Sequence, residues 1–158
     1  MASTDRRAEF LALSATLTGF SVFRLEGTGQ TDAYLRTVRD VTGEPTVDAL
    51  LAAHRRVADA AGGDRAALDR GLRRALLSDA RLGPVARNLV KLWYVGTWYE
   101  LPAAWREAFG AGARDGTFVV SPEAYTEGLL WPAVGANPAG AKPFGYGTWA
   151  KPPRIETA

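Results

Sequence analysis

Apolar residues recur at three- and four-residue intervals through the first hundred positions, a spacing that predicts short amphipathic helices in succession. A first helix is expected through Phe10–Phe20, with Thr4 or Asp5 as its N-cap and Gly19 near its end. Residues 21–30, with Gly27 and Gly29, read as a loop. Thr31 can cap a second helix carrying Ala33, Tyr34, Leu35, Val38 and Val41 and stopped by Gly43. Pro45 stands where a third begins, and Val47, Leu50, Leu51, His54 and Val57 continue its stripe to Gly62-Gly63. Asp64 caps a fourth, with Leu68, Leu72, Ala75 and Leu76 inward and Arg65, Arg70, Arg73 and Arg74 outward.

The fifth helix carries the most information. Pro84 fits its first turn, Gly83 precedes it, and Val85, Leu89, Leu92, Trp93 and Gly96 form one apolar stripe. Trp93, Tyr94, Trp98 and Tyr99 place four large aromatics within seven positions, and Tyr94 and Trp98 fall outside the stripe. Pro102 closes the helix. Aromatics beyond the main stripe belong either to a central core helix or to a surface offered to a partner.

From Gly110 the pattern changes. Gly110-Ala111-Gly112 and Asp115-Gly116 mark turns, and Phe118-Val119-Val120 reads as a short extended piece. Ser121-Pro122-Glu123 is a strong helix start, for a helix ending at Trp131-Pro132. Residues 132–158 hold five of the nine prolines and four glycines, which excludes a regular helix or central strand. Phe144, Tyr146 and Trp149 are nevertheless poorly suited to a solvated coil, so this arm is expected to lie on a surface, its own domain's or a partner's. The expected architecture is mostly α: one compact domain with a helical core (1–109), a turn region and last helix (110–131) and an irregular Gly/Pro-rich arm (132–158).

Composition narrows the chemistry. At 158 residues the chain can bury about 70% of its unfolded surface. It has no Cys, hence no disulfide, thiolate nucleophile or Cys-ligated metal, and its one His is His54. A net charge of +2 is too small to suggest nucleic-acid binding, although nine basic residues concentrate between Arg55 and Lys91. Asp59, Asp64, Asp69 and Asp79 alternate with them; the face reads as solvated or as a dock for an acidic partner. No apolar run reaches the roughly 20 residues that span a bilayer.

Arg6-Arg7 ahead of Phe10-Leu11 approaches a twin-arginine export signal, but two residues, Ala8 and Glu9, intervene and a cleavage site is lacking, so the segment reads as the first helix. Gly135 to Lys142 approaches a phosphate-binding loop and fails, because Ala141 separates Gly140 from Lys142 and Pro143 follows. Glu123 and Glu127, one helical turn apart, could serve acid–base chemistry, yet carboxylates also suit the first turns of a helix.

Three blocks carry a family resemblance: Phe10-Leu11-Ala12-Leu13-Ser14-Ala15-Thr16-Leu17-Thr18-Gly19-Phe20; Leu82-Gly83-Pro84-Val85-Ala86-Arg87-Asn88-Leu89-Val90-Lys91-Leu92-Trp93-Tyr94; and Val119-Val120-Ser121-Pro122-Glu123-Ala124-Tyr125-Thr126-Glu127-Gly128-Leu129-Leu130-Trp131. The last continues into Gly135-Ala136-Asn137-Pro138-Ala139-Gly140-Ala141-Lys142 and Gly145-Tyr146-Gly147-Thr148-Trp149-Ala150. Together they resemble the small subunit of bacterial FAD-dependent sorbitol or sugar dehydrogenases. The resemblance implies a non-catalytic chain that binds and stabilises a large flavin-bearing subunit of the glucose–methanol–choline type, often with a haem subunit as electron acceptor. It implies no FAD and no catalytic residue in this chain; the composition gives no expectation of a metal site or a nucleic-acid partner. A cytoplasmic location is expected because no separate signal segment precedes Phe10, the alternative being the cell envelope, reached through a partner. The interface candidates are Trp93, Tyr94, Trp98, Tyr99, Trp131, Lys142, Phe144, Tyr146 and Trp149. The competing classes are a self-sufficient enzyme using Glu123 and Glu127 and a free-standing helical adaptor.

Overall fold

One helix organises the molecule. In the computed structural model, which describes residues 2–142 and their side chains from Asp5 onward, the aromatic-rich helix contacts nearly every other layer. The elements are α1 (Ala2–Thr18), α2 (Val22–Gly27), α3 (Thr31–Thr42), α4 (Glu44–Ala61), α5 (Arg65–Leu72) running into a π-helical turn (Arg73–Leu77), α6 (Leu82–Val95), β1 (Thr97–Trp98), α7 (Ala103–Phe109), β2 (Phe118–Val119), α8 (Pro122–Thr126) and α9 (Leu130–Ala133). The domain is mostly helical. Helix α6 packs against α1, α3, α4, the π turn, α8 and α9, and its Val85, Ala86, Leu89, Leu92 and Trp93 are buried. Among the described residues no helix is long and apolar enough to cross a membrane.

Local chemistry explains most boundaries. Gly43 at φ 79° separates α3 from α4, whose first turn carries Pro45, and Gly62 at φ 54° ends α4. The Asp64 carboxylate accepts from the N–H groups of Ala66 and Ala67, so α5 starts there. Helix α1 begins at Ala2, ahead of both expected caps, and Gln30 rather than Thr31 stands before α3. Residues 21–30 are not a plain loop: the Ser21 hydroxyl accepts from Arg24 N–H and caps α2, which buries Leu25.

Two expected helices are corrected. The aromatic helix stops at Val95 rather than near Pro102. Gly96 adopts φ 67°, and a Cβ there would lie 2.6 Å from the Ala124 backbone, so only glycine fits the approach. Thr97 and Trp98 then pair antiparallel with Val119 and Phe118. The helix begun by Ser121 and Pro122 ends at Thr126, and α9 follows after Gly128, whose Cβ would meet Tyr94 O at 2.7 Å. Ala75 is exposed rather than inward, since the π turn inserts a residue and rotates it away from Leu72 and Leu76.

Candidate partner-docking surface

The C-terminal end of α6 is where distant parts of the chain meet. Its last carbonyls need donors, and they find them outside the helix. Trp93 O accepts from Leu129 N–H at 2.9 Å and Leu92 O from Gly96 N–H at 2.9 Å. Gly96 O accepts from Val120 N–H at 2.9 Å. The Tyr94 hydroxyl donates to Thr18 O at 3.0 Å, and its ring stands edge-on to Phe20 at 6.1 Å. Residues 10–20, 82–94 and 119–131 are therefore in direct contact around Trp93 and Tyr94.

The expected aromatics divide by this geometry. Trp93 and Trp98 are spent on the core: Trp93 packs edge-on against Tyr34 at 4.9 Å, and the Trp98 indole donates to Asp115 at 3.1 Å. Neither offers surface to a partner in this fold. Tyr94 is half-buried. Tyr99 is exposed, with the Lys91 ammonium 4.6 Å from its ring centre. Trp131 is half-buried, donates to Tyr125 O at 2.8 Å and stands edge-on to the Tyr125 ring at 5.4 Å. Phe144, Tyr146 and Trp149 lie outside the described residues.

The described part of the arm packs on its own domain. Tyr125 donates its hydroxyl to Ala139 O at 3.1 Å, Pro138 is buried, and Lys142 pairs with Glu127. A cleft of about 280 Å³ lies here, its walls including Arg24 of α2, Glu127, Trp131, Pro138 and Lys142. Burial pushes the Tyr34 phenol up, and the charge of Glu127, one of the cleft's residues, pushes it the same way. Phe23, next to Arg24, is 86% exposed, as Leu25 on the same short helix takes the core-facing position. Val134 at 62% and Tyr125 at 36% add apolar area on α8 and the arm. Sequence reasoning missed Phe23 and Arg24. Their available signal was Ser21, a hydroxyl cap just ahead of Val22-Phe23-Arg24-Leu25.

The two carboxylates at the ends of α8 stand in different surroundings. Glu127 is neutralised by Lys142, while Glu123 is exposed in the first turn beside the Ser121 cap. His54 is buried and hydrogen-bonded to Thr16. The Thr16 hydroxyl gives its one proton to Ala12 O at 2.9 Å, so it accepts from His54 Nε2 at 3.0 Å. Burial holds the imidazole below its usual value, partly opposed by Glu9. Among the described residues no group of three or more His, Asp or Glu is placed to hold a metal ion.

Arg6 and Arg7 belong to the folded helix. Arg6 pairs with Glu44 and with Asp48 at 2.8 Å, and Arg7 with Glu26 at 2.9 Å and Asp32 at 3.2 Å, tying α1 to α2, α3 and α4. Compared with protein-family models, curated proteins and solved structures, the chain matches none of them.

Proposed function

We propose that this chain is a non-catalytic small subunit that binds and stabilises a large FAD-dependent sugar or polyol dehydrogenase of the glucose–methanol–choline type. The observation that carries the reading is the meeting of its three family-like blocks at the end of α6, where Tyr94 bonds Thr18 and Trp93 bonds Leu129. Sequence blocks separated by residues 21–81 and 95–118 thus form one structural unit, as a docking module would. The cofactor and the hydroxyl oxidation belong to the partner, and a haem subunit is the proposed acceptor.

Of the expected docking residues, Trp131 and Lys142 are retained, the buried Trp93 and Trp98 are dropped, and Phe23, Arg24, Tyr125 and Val134 are added. Arg24, Trp131 and Lys142 line the cleft, Phe23, Tyr125 and Val134 are exposed on the same short segments of chain, and exposed aromatics beside charges are the usual anchors of an interface. Phe23→Ser and Trp131→Ala, each co-expressed with the tagged flavoprotein, test this face. Retained folding with loss of the flavoprotein from the eluate is expected. Unchanged co-purification of both variants would remove this face from the interface.

A further inference from the structure

Among the described residues, arginines without a carboxylate partner concentrate between residues 56 and 87, with Arg24 on α2 and Arg36 on α3 as the others. Arg6, Arg7, Arg39, Arg55, Arg106 and Arg114 each have a carboxylate within 4.0 Å, whereas among the described residues Arg56, Arg65, Arg70, Arg73, Arg74 and Arg87 have none. These six lie on α4, α5, the π turn and the start of α6, within a stretch where nine basic residues face four carboxylates. Two of the four are already committed: Asp64 caps α5, and Asp79 accepts from the N–H groups of Arg81 and Leu82. Both keep their negative charge, and the excess of basic over acidic residues still makes the positive field of this stretch larger than a net charge of +2 suggests.

Between α4 and α5 runs an apolar groove of about 240 Å³, floored by Val57, Ala60, Ala67, Gly71 and Ala75, with Arg56 in its wall. Arg70 and Arg74 flank Gly71 and Ala75 in sequence and are exposed. Guanidinium groups bind carboxylates through two parallel N–H donors, and a groove of small side chains admits the apolar edge of a helix. A nucleic-acid backbone would use the charges and leave the groove empty. A second copy related by a twofold axis would bring arginines against arginines.

We propose that the α4–α5 groove docks an acidic amphipathic helix of a protein partner, with its apolar edge on Ala67, Gly71 and Ala75 and its carboxylates on Arg56, Arg70 and Arg74. This site is separate from the cleft at Arg24 and does not rest on the flavoprotein reading. The test is fluorescence anisotropy of the full chain with a labelled synthetic helix bearing Leu and Ala on one face and Glu on the other. Its competitors are the same helix with Gln for Glu, and oligouridylate.

Saturable binding of the Glu helix is expected. It should weaken about tenfold for the Gln helix and for each of Arg70→Glu and Arg56→Glu, which reverse charges on different helices. Ala75→Leu, which fills the groove without touching a charge, should weaken it comparably. Circular dichroism of each variant identifies any that misfolds, and the others then decide. No binding, equal binding of the Gln helix, or displacement by oligouridylate with indifference to Ala75→Leu would each overturn the proposal.

Discussion

The Asp115 carboxylate is 3% exposed, and donors from three places converge on it. It accepts from the Trp98 indole at 3.1 Å and Leu101 N–H at 3.2 Å, with Arg106 Nε at 3.9 Å. Removing it would strand two buried donors, so Asp115→Ala is expected to lower unfolding free energy by about 2–3 kcal/mol in urea denaturation. Asp115→Asn retains an acceptor and should cost less. His54 gives a pH signature. Its folded pKa lies below 6.5, so near that pH the unfolded state binds more protons than the folded one. The contribution of His54 to stability is therefore complete well above pH 6.5 and declines as pH falls through and below it. Melting temperatures across that range should fall more steeply for the natural chain than for His54→Gln. Parallel curves would show that the imidazole titrates alike in both states.

At the scale of elements, packing decides where local preference is silent. Gly71 on α5 faces Val57 on α4 so closely that a Cβ would lie 2.5 Å from Val57 Cγ1. Alanine in a helix is ordinarily favoured over glycine by about 1 kcal/mol, but here the contact should reverse the sign. Gly71→Ala is expected to lower the urea midpoint, and adding Val57→Ala should recover much of that loss, a non-additivity readable in a double-mutant cycle. The elements legible in sequence were those with a chemical mark at their own ends: Asp64 on α5, Pro45 on α4, Ser121-Pro122 on α8, Gly43 and Gly62 as stops. The others depend on residues far along the chain. Trp98 leaves the aromatic helix because Gly96 meets Ala124 and because Phe118 and Asp115 receive the strand and the indole. Periodicity over residues 84–101 carries no trace of those partners. The site was less legible for the same reason. Arg24 and Trp131 line one cleft only after residues 126–142 fold back toward α2, and Trp93 is buried against Tyr34.

At the scale of the molecule, an apolar side chain that stabilises nothing internally is informative. Phe23 is 86% exposed, so Phe23→Ser should change stability by no more than about 0.5 kcal/mol. If α2 anchors the flavoprotein, the same substitution should weaken association about tenfold or more, measured by biolayer interferometry on the immobilised chain. An unchanged dissociation constant would take α2 out of the interface. The charge distribution marks the α4–α5 groove as a second, independent candidate face, apart from the cleft at Arg24.

The accessory-subunit account is tested most directly by what the chain carries when purified under native conditions from its own source. Size-exclusion chromatography with simultaneous protein and flavin absorbance, followed by native mass spectrometry, would read the composition of the peak. The account expects one larger chain per assembly bearing FAD, with dye-linked polyol oxidation that is lost when the two chains are separated. Elution of the chain alone and colourless, or flavin and activity bound to this chain without a partner, would contradict it.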